Sequence, residues 1–150
     1  MKKYFKFVLM VLVSTVVMFG LMYFNIFSVD HLFFSQTRVF MALMMGAVMA
    51  ILMLLFMWKM YDNKKVNVII LLVSLLCFGF SLFMVRSQTG IDDTKWMKAM
   101  IPHHSIAILT STNAKIEDPR VKVLAEEIIQ KQEEEIAKMK ELIKDLEMKK

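Results

Sequence analysis

The sequence predicts an all-α protein in two parts, three transmembrane helices followed by an extracytoplasmic helical hairpin. Three runs of about 20 residues carry no charge, the length an α-helix needs to cross a bilayer core. The charges are divided unequally, with ten in residues 1–90 against 12 acidic and 11 basic in residues 91–150. The charged part also repeats its apolar residues at intervals of four and three, which is the period of an amphipathic helix. The boundaries that follow are a membrane anchor over residues 1–90 and a hairpin domain over residues 91–150.

Phe7 to Phe27 is the first uncharged run and follows Lys2, Lys3 and Lys6. A signal peptide has an apolar region of about 7–15 residues closed by small residues. This run is longer and continues through Met22, Tyr23 and Phe24, so residues 7–27 are expected to be a retained span. Asn25 to Arg38 is a polar interruption with Asp30, His31, Ser35, Gln36 and Thr37, and is expected to be a loop. Residues 39–58 form the second span, closed by Lys59 with Trp58 and Tyr61, which suit the membrane interface. Asp62-Asn63-Lys64-Lys65 makes the next turn, and residues 66–85 form the third span, ended by Arg86.

Six basic residues flank one side of this anchor (Lys2, Lys3, Lys6, Lys59, Lys64, Lys65) against Arg38 and Arg86 on the other. The positive-inside rule places the six in the cytoplasm, and an odd number of spans then puts the C-terminal domain outside it. The net charge of +5 comes from this half. Because its basic residues flank apolar runs instead of lining a folded surface, it points to a lipid bilayer and not to nucleic acid. Cys77 is the one cysteine, so no intramolecular disulfide is possible. The methionines of the second span (Met41, Met44, Met45, Met49, Met53, Met57 and Met60) spread over about 220° of the helix. They read as apolar packing and not as a metal relay.

Ser87-Gln88-Thr89-Gly90 is a linker. Asp92 or Asp93 can cap the next helix, its carboxylate accepting backbone N–H groups at the positive end of the dipole. That helix is expected to run to about Thr112, bent by Pro102, which cannot donate its backbone hydrogen bond. Within it, Met97, Met100 and His104 share a narrow face with His103 at its edge. Trp96, Ile101, Ala107 and Ile108 lie with them, so the face is expected to be the buried one. Thioether and imidazole suit copper, Cu(I) above all, whereas oxygen ligands would suit calcium or magnesium. The same residues also read as core filler, Met being flexible and a half-buried His being satisfied by a neighbour.

Asp118-Pro119 opens the last helix as N-cap and first helical residue. Val121, Ala125, Ile128, Gln132, Glu135, Met139, Leu142 and Leu146 form its seam, which is polar only at Gln132 and Glu135. In an antiparallel hairpin that polar middle could face the histidines. A carboxylate on a buried face is costly without a partner, and a polar residue in a seam otherwise serves to fix register or oligomer number.

Asp93-x-x-Trp96-Met97-x-x-Met100-Ile101-Pro102-His103-His104-x-x-Ala107-Ile108, then Leu124-Ala125, Ile128-Ile129 and Gln132-x-x-Glu135-Ile136-x-x-Met139, resembles the bacterial domain of unknown function 305. The resemblance covers residues 92–146. It implies a ferritin-like fold of hairpins assembled into four-helix bundles, with copper, as Cu(I) or Cu(II), bound by some extracytoplasmic members. The ligands it implies are Met97, Met100, His103, His104, Met139 and Glu135, with Gln132 nearby. Ser105 stands where a glutamine often follows the two histidines, and Leu109-Thr110 where a methionine is frequent. No Glu-x-x-His pair occurs in the sequence, which excludes a di-iron carboxylate site. Ser105 after His104 makes no triad, because neighbours on a helix point about 100° apart. The expectation is a homodimeric metal-binding protein and not an enzyme.

Overall fold

The computed structural model describes residues 2–149; Met1 and Lys150, the last residue of the predicted hairpin domain, lie outside the described residues. The protein is all-α. Five helices follow one another, α1 (Lys2–Leu21), α2 (Gln36–Phe56), α3 (Lys64–Ser87), α4 (Asp93–Asn113) and α5 (Pro119–Met148), with no strand among the described residues. They fall into two compact units. The described residues up to Met22 join Thr37–Thr89 in the first, and Tyr23–Gln36 joins the described residues from Gly90 onward in the second.

In the first unit α1, α2 and α3 are each long and apolar enough to cross a membrane. α1 begins at Lys2 and ends at Leu21 instead of running to Phe27. Part of the reason lies at Arg38, whose guanidinium donates to the Met22 carbonyl at 2.5 Å. A cation there satisfies a carbonyl left without an intrahelical partner and favours the negative end of the helix dipole. Ala42, Gly46 and Ala50 recur at intervals of four on α2 and are all buried, which lets neighbouring backbones approach closely.

The core of this unit is Phe7, Ala50, Leu54 and Tyr61, with the Phe7 and Tyr61 rings edge to face at 5.5 Å. Asn67 is fully buried beside it. Its amide is satisfied, accepting from the Tyr4 hydroxyl at 2.8 Å and donating to the Tyr61 carbonyl at 3.0 Å. None of the seven second-span methionines is buried; Met41, Met45 and Met60 are exposed and the rest are half-buried.

In the second unit the expected hairpin is present. Asp92 caps α4 by accepting from the Lys95 N–H at 2.8 Å. Gly90 turns the chain into it with φ +78°, a left-handed conformation that glycine adopts without steric cost. α4 continues helical through Pro102, which is buried. Asp118 caps α5 through the Arg120 N–H at 2.9 Å, with Pro119 opening the helix. The Arg120 guanidinium beside Asp118 holds its carboxyl below the usual range. The core joins Met97, Ile101 and Ile108 of α4 to Ile136, Met139 and Ile143 of α5.

Residues 23–36, which take in the end of the expected first span and most of the loop expected over residues 25–38, pack instead as a strap on this hairpin. The strap is closed at its neck, where the Tyr23 hydroxyl accepts from the Ser35 N–H at 3.1 Å. It makes a single 3-10 turn, Val29–His31, and sets Phe33 against the hairpin core. Lys140 of α5 pairs with Asp30.

Both hairpin helices are turned relative to the faces read from sequence. On α4 the buried residues are Met97, Ile101, Pro102, Ser105 and Ile108, while Trp96 is 51% exposed. On α5 they are Ala125, Ile136, Met139 and Ile143, with Val121 and Leu142 exposed. The seam therefore runs through Ala125, Ile129, Gln132, Ile136, Met139, Ile143 and Leu146, still in steps of four and three. Glu135 stands on its flank, so the cost of burying a carboxylate does not arise.

Candidate metal-binding pair and the strap beside it

The buried arc of α4 centres near Ile101. At about 100° per residue His104 then falls some 60° from that centre and His103 on nearly the opposite side. His104 is accordingly half-buried and His103 exposed.

The environment of His104 is fully defined. Its Nδ1 lies 3.0 Å from the Met100 carbonyl oxygen, one helical turn back. Since a carbonyl only accepts, Nδ1 carries a proton there. Its Nε2 faces Glu135 Oε2 at 2.8 Å. The imidazole is 13% exposed and the carboxylate 42%, so the pair sits at the edge of the core and is open to solvent on Glu135's side. This contact joins α4 to α5 at the level expected from sequence.

A ring nitrogen held on a backbone carbonyl is how proteins fix which nitrogen faces a metal. Two donors bound at about 2.0–2.2 Å to one ion at angles between about 90° and 109° stand about 2.8–3.6 Å apart. The observed 2.8 Å lies at the lower edge of that spacing and is equally the length of a charge-assisted hydrogen bond, which makes the pair a candidate for two ligands of one ion. The other candidates are placed differently. Met97 and Met139 are buried in the apolar core and Met100 packs against it. The His103 ring lies 6.2 Å from that of His104, tilted by 64°. Gln132 is half-buried on the seam. Among the described residues no group of three or more His, Cys, Asp or Glu is assembled for a metal.

A second polar constellation was not read from sequence. Ser105, fully buried on α4, accepts from the Phe27 N–H at 2.7 Å and meets His31 Nδ1 at 3.0 Å. His31 Nε2 lies 3.8 Å from Asp30, and Asp30 is held by Lys140 and by the Ser28 hydroxyl. Lys140 and Ser28 keep the Asp30 carboxyl down at about 2. Burial pushes His31 below its ordinary 6.5. One sequence signal could have found this cluster, namely the length of the polar interruption, since connections of about 12–15 residues without regular structure are uncommon in compact domains.

Comparison with known proteins agrees with the motif. A family model described as a domain of unknown function, DUF305, matches residues 86–149. An uncharacterized protein of Acanthamoeba polyphaga mimivirus is 32% identical over 106 residues, which is 69% of this chain and 68% of that protein. Residues 86–149 number 64, fewer than the 106 aligned, so this likeness extends beyond the hairpin domain. No solved structure matches the chain. The chain belongs to the DUF305 family, its domain following three helices that are long and apolar enough to cross a membrane.

Proposed function

We propose that this is a membrane-anchored, extracytoplasmic metal-binding protein that sequesters or hands on copper and is not an enzyme. The observation that carries the reading is His104, held by Nδ1 on the Met100 carbonyl with Nε2 against Glu135. An imidazole so oriented is a borderline-soft ligand suited to copper. His104, through Nε2, and Glu135, through its carboxylate, would be two of the residues that hold the ion. A monomer offers two donors in contact, and a copper ion calls for more.

A second copy of the chain supplies the rest. One side of the hairpin is covered by the chain's own strap. α5 carries a further apolar stripe, Val121, Leu124, Ile128 and Leu142, within about 60° of Glu135; Val121, Leu124 and Leu142 are exposed. Exposed Trp96 and Leu142 line one groove on the hairpin. Pairing two hairpins through this stripe makes a four-helix bundle and brings two His104–Glu135 pairs, with exposed His103, to one interface.

The test is competition for Cu(I) against a chromogenic chelator, using the full chain in mild detergent with its mass measured in parallel. His104→Ala and Glu135→Ala each weaken binding by about tenfold or more, and affinity falls as pH is lowered because Nε2 must release a proton. Leu124→Lys yields monomers that bind less copper. If the wild type holds neither Cu(I) nor Cu(II) more tightly than the His103→Ala/His104→Ala double variant, the copper reading is wrong. In the competing reading the hairpin is a structural dimerisation module on the membrane anchor with no metal, and the histidines and Gln132 form a polar core layer that sets register. It is favoured by the burial of Met97 and Met139 in the core, and its mark is loss of assembly in the double variant.

We place the N-terminus in the cytoplasm and the C-terminal domain outside it, on the six-to-two distribution of basic residues. C-terminal fusions to alkaline phosphatase and to a cytoplasm-dependent fluorescent protein should give phosphatase activity and no fluorescence. The opposite pair of results reverses the orientation.

A further inference from the structure

We infer that residues 23–36 are a pH-sensitive strap, clamped on the α4–α5 hairpin through His31 near neutrality and released from Ser105 when His31 takes up a proton. The inference rests on the strap's own hydrogen bonds and is independent of the copper reading.

The clamp is Ser105. Its Oγ accepts from the Phe27 N–H at 2.7 Å and lies 3.0 Å from His31 Nδ1. Thr110 on the same helix donates back to the Ile106 carbonyl at 2.9 Å, but no such back-bond forms at Ser105. His31 Nδ1 is therefore the acceptor for the Ser105 hydroxyl hydrogen, and neutral His31 carries its proton on Nε2. Protonating Nδ1 turns it into a donor, and the Ser105 hydroxyl hydrogen then loses its acceptor at a serine with no exposed surface. One of the two polar groups must then leave the site or lie buried without a partner.

Every charged group around His31 has a defined part. From its own turn Asp30 favours the proton, and so does Glu133 of α5; Lys140 of α5 opposes it, as does burial, which is the largest influence. α4 contributes the Ser105 hydroxyl. Asp30, held at about 2, stays ionised through the range in which histidine titrates, so its pair with Lys140 is constant and does not trigger release. Because closure holds His31 below its ordinary 6.5, the open strap binds the proton more readily than the closed one. Closure is thus fully favoured above that value and weakens as pH falls below it. Opening draws Phe33 away from the hairpin core and bares an apolar side that the strap otherwise covers.

The experiment follows the Phe27 amide by hydrogen exchange in the full chain, in detergent and without metal, at about pH 7.5 and about pH 4.5. Rates are corrected for the intrinsic pH dependence of exchange. Wild-type protection should fall about tenfold or more at the lower pH, the effect of losing one buried hydrogen bond. His31→Asn keeps an acceptor near the position of Nδ1 but cannot titrate, and should stay protected at both. Ser105→Ala should be unprotected at both. Equal wild-type protection at the two pH values overturns the proposal, and so does a pH step of the same size in His31→Asn.

Discussion

Ile101→Ala should be the most damaging single truncation in the hairpin, costing about 2–5 kcal/mol, the range for removing a fully buried branched side chain and leaving a cavity. Ile101 has no exposed surface and lies at the centre of the α4 arc that meets Ile136, Met139 and Ile143. Trp96→Ala removes far more atoms but should cost under about 1 kcal/mol within the monomer, because the ring is 51% exposed. The comparison belongs in the Leu124→Lys background, where the proposed dimer contact cannot contribute. Amide protection across α4 and α5 is the suitable readout, since a chain of two units does not unfold in one step. Equal losses for the two variants would mean that α4 buries the face centred on Met97 and Met100 that the wheel suggested.

That contrast also shows where the sequence was legible. Element type and order followed from charge-free length and from the steps of four and three, both strong signals over 20 or more residues. Asp92, Asp118 and Pro119 marked helix starts correctly because capping is local chemistry. Rotation about the helix axis was less legible. On α5 the apolar positions fill two adjacent stripes, one through Ile136 and Ile143 and one through Leu124 and Leu142. Periodicity alone cannot say which of them meets α4. The strap was missed because its contacts are long-range. Nothing local to His31 announces Ser105, which lies 74 residues away. The His104–Glu135 contact was legible because both residues sit near mid-height of a hairpin whose turn is fixed by Asp118.

The turned helices change what the two histidines can do. Read as neighbours on one buried face, they resemble paired ligands. In the fold His104 is oriented by a backbone carbonyl and engaged by a carboxylate, whereas His103 faces outward. A residue in the first situation suits a fixed ligand, and one in the second suits contact with another molecule. In the proposed copper reading this division makes the oligomeric state part of the chemistry, and it is why mass and affinity belong in one measurement.

In the first unit, Gly46→Leu should separate α1 from α2. A Cβ added at Gly46 would lie 2.2 Å from Thr15 Oγ1 and 3.2 Å from its Cγ2. Thr15 is a poor absorber of that clash, because its side chain is branched at Cβ and its hydroxyl donates to the Val11 carbonyl at 2.8 Å. Overpacking of this kind costs about 1–3 kcal/mol, and more where the backbone must move; the four-carbon side chain of leucine forces such movement. Gly79 supplies the control, since a Cβ there meets nothing within 4 Å and Gly→Ala inside a helix gains about 0.5–1 kcal/mol. Gly46→Ala tests the contact itself. Alone it should destabilise, and in combination with Thr15→Ala it should recover, because the nearest remaining atom is then the Thr15 Cβ position at 3.3 Å. Amide protection across α1 and α2, in the full chain in detergent, reads all four variants. If Gly46→Leu and Gly79→Ala are protected alike, α1 does not pack on α2 at Gly46.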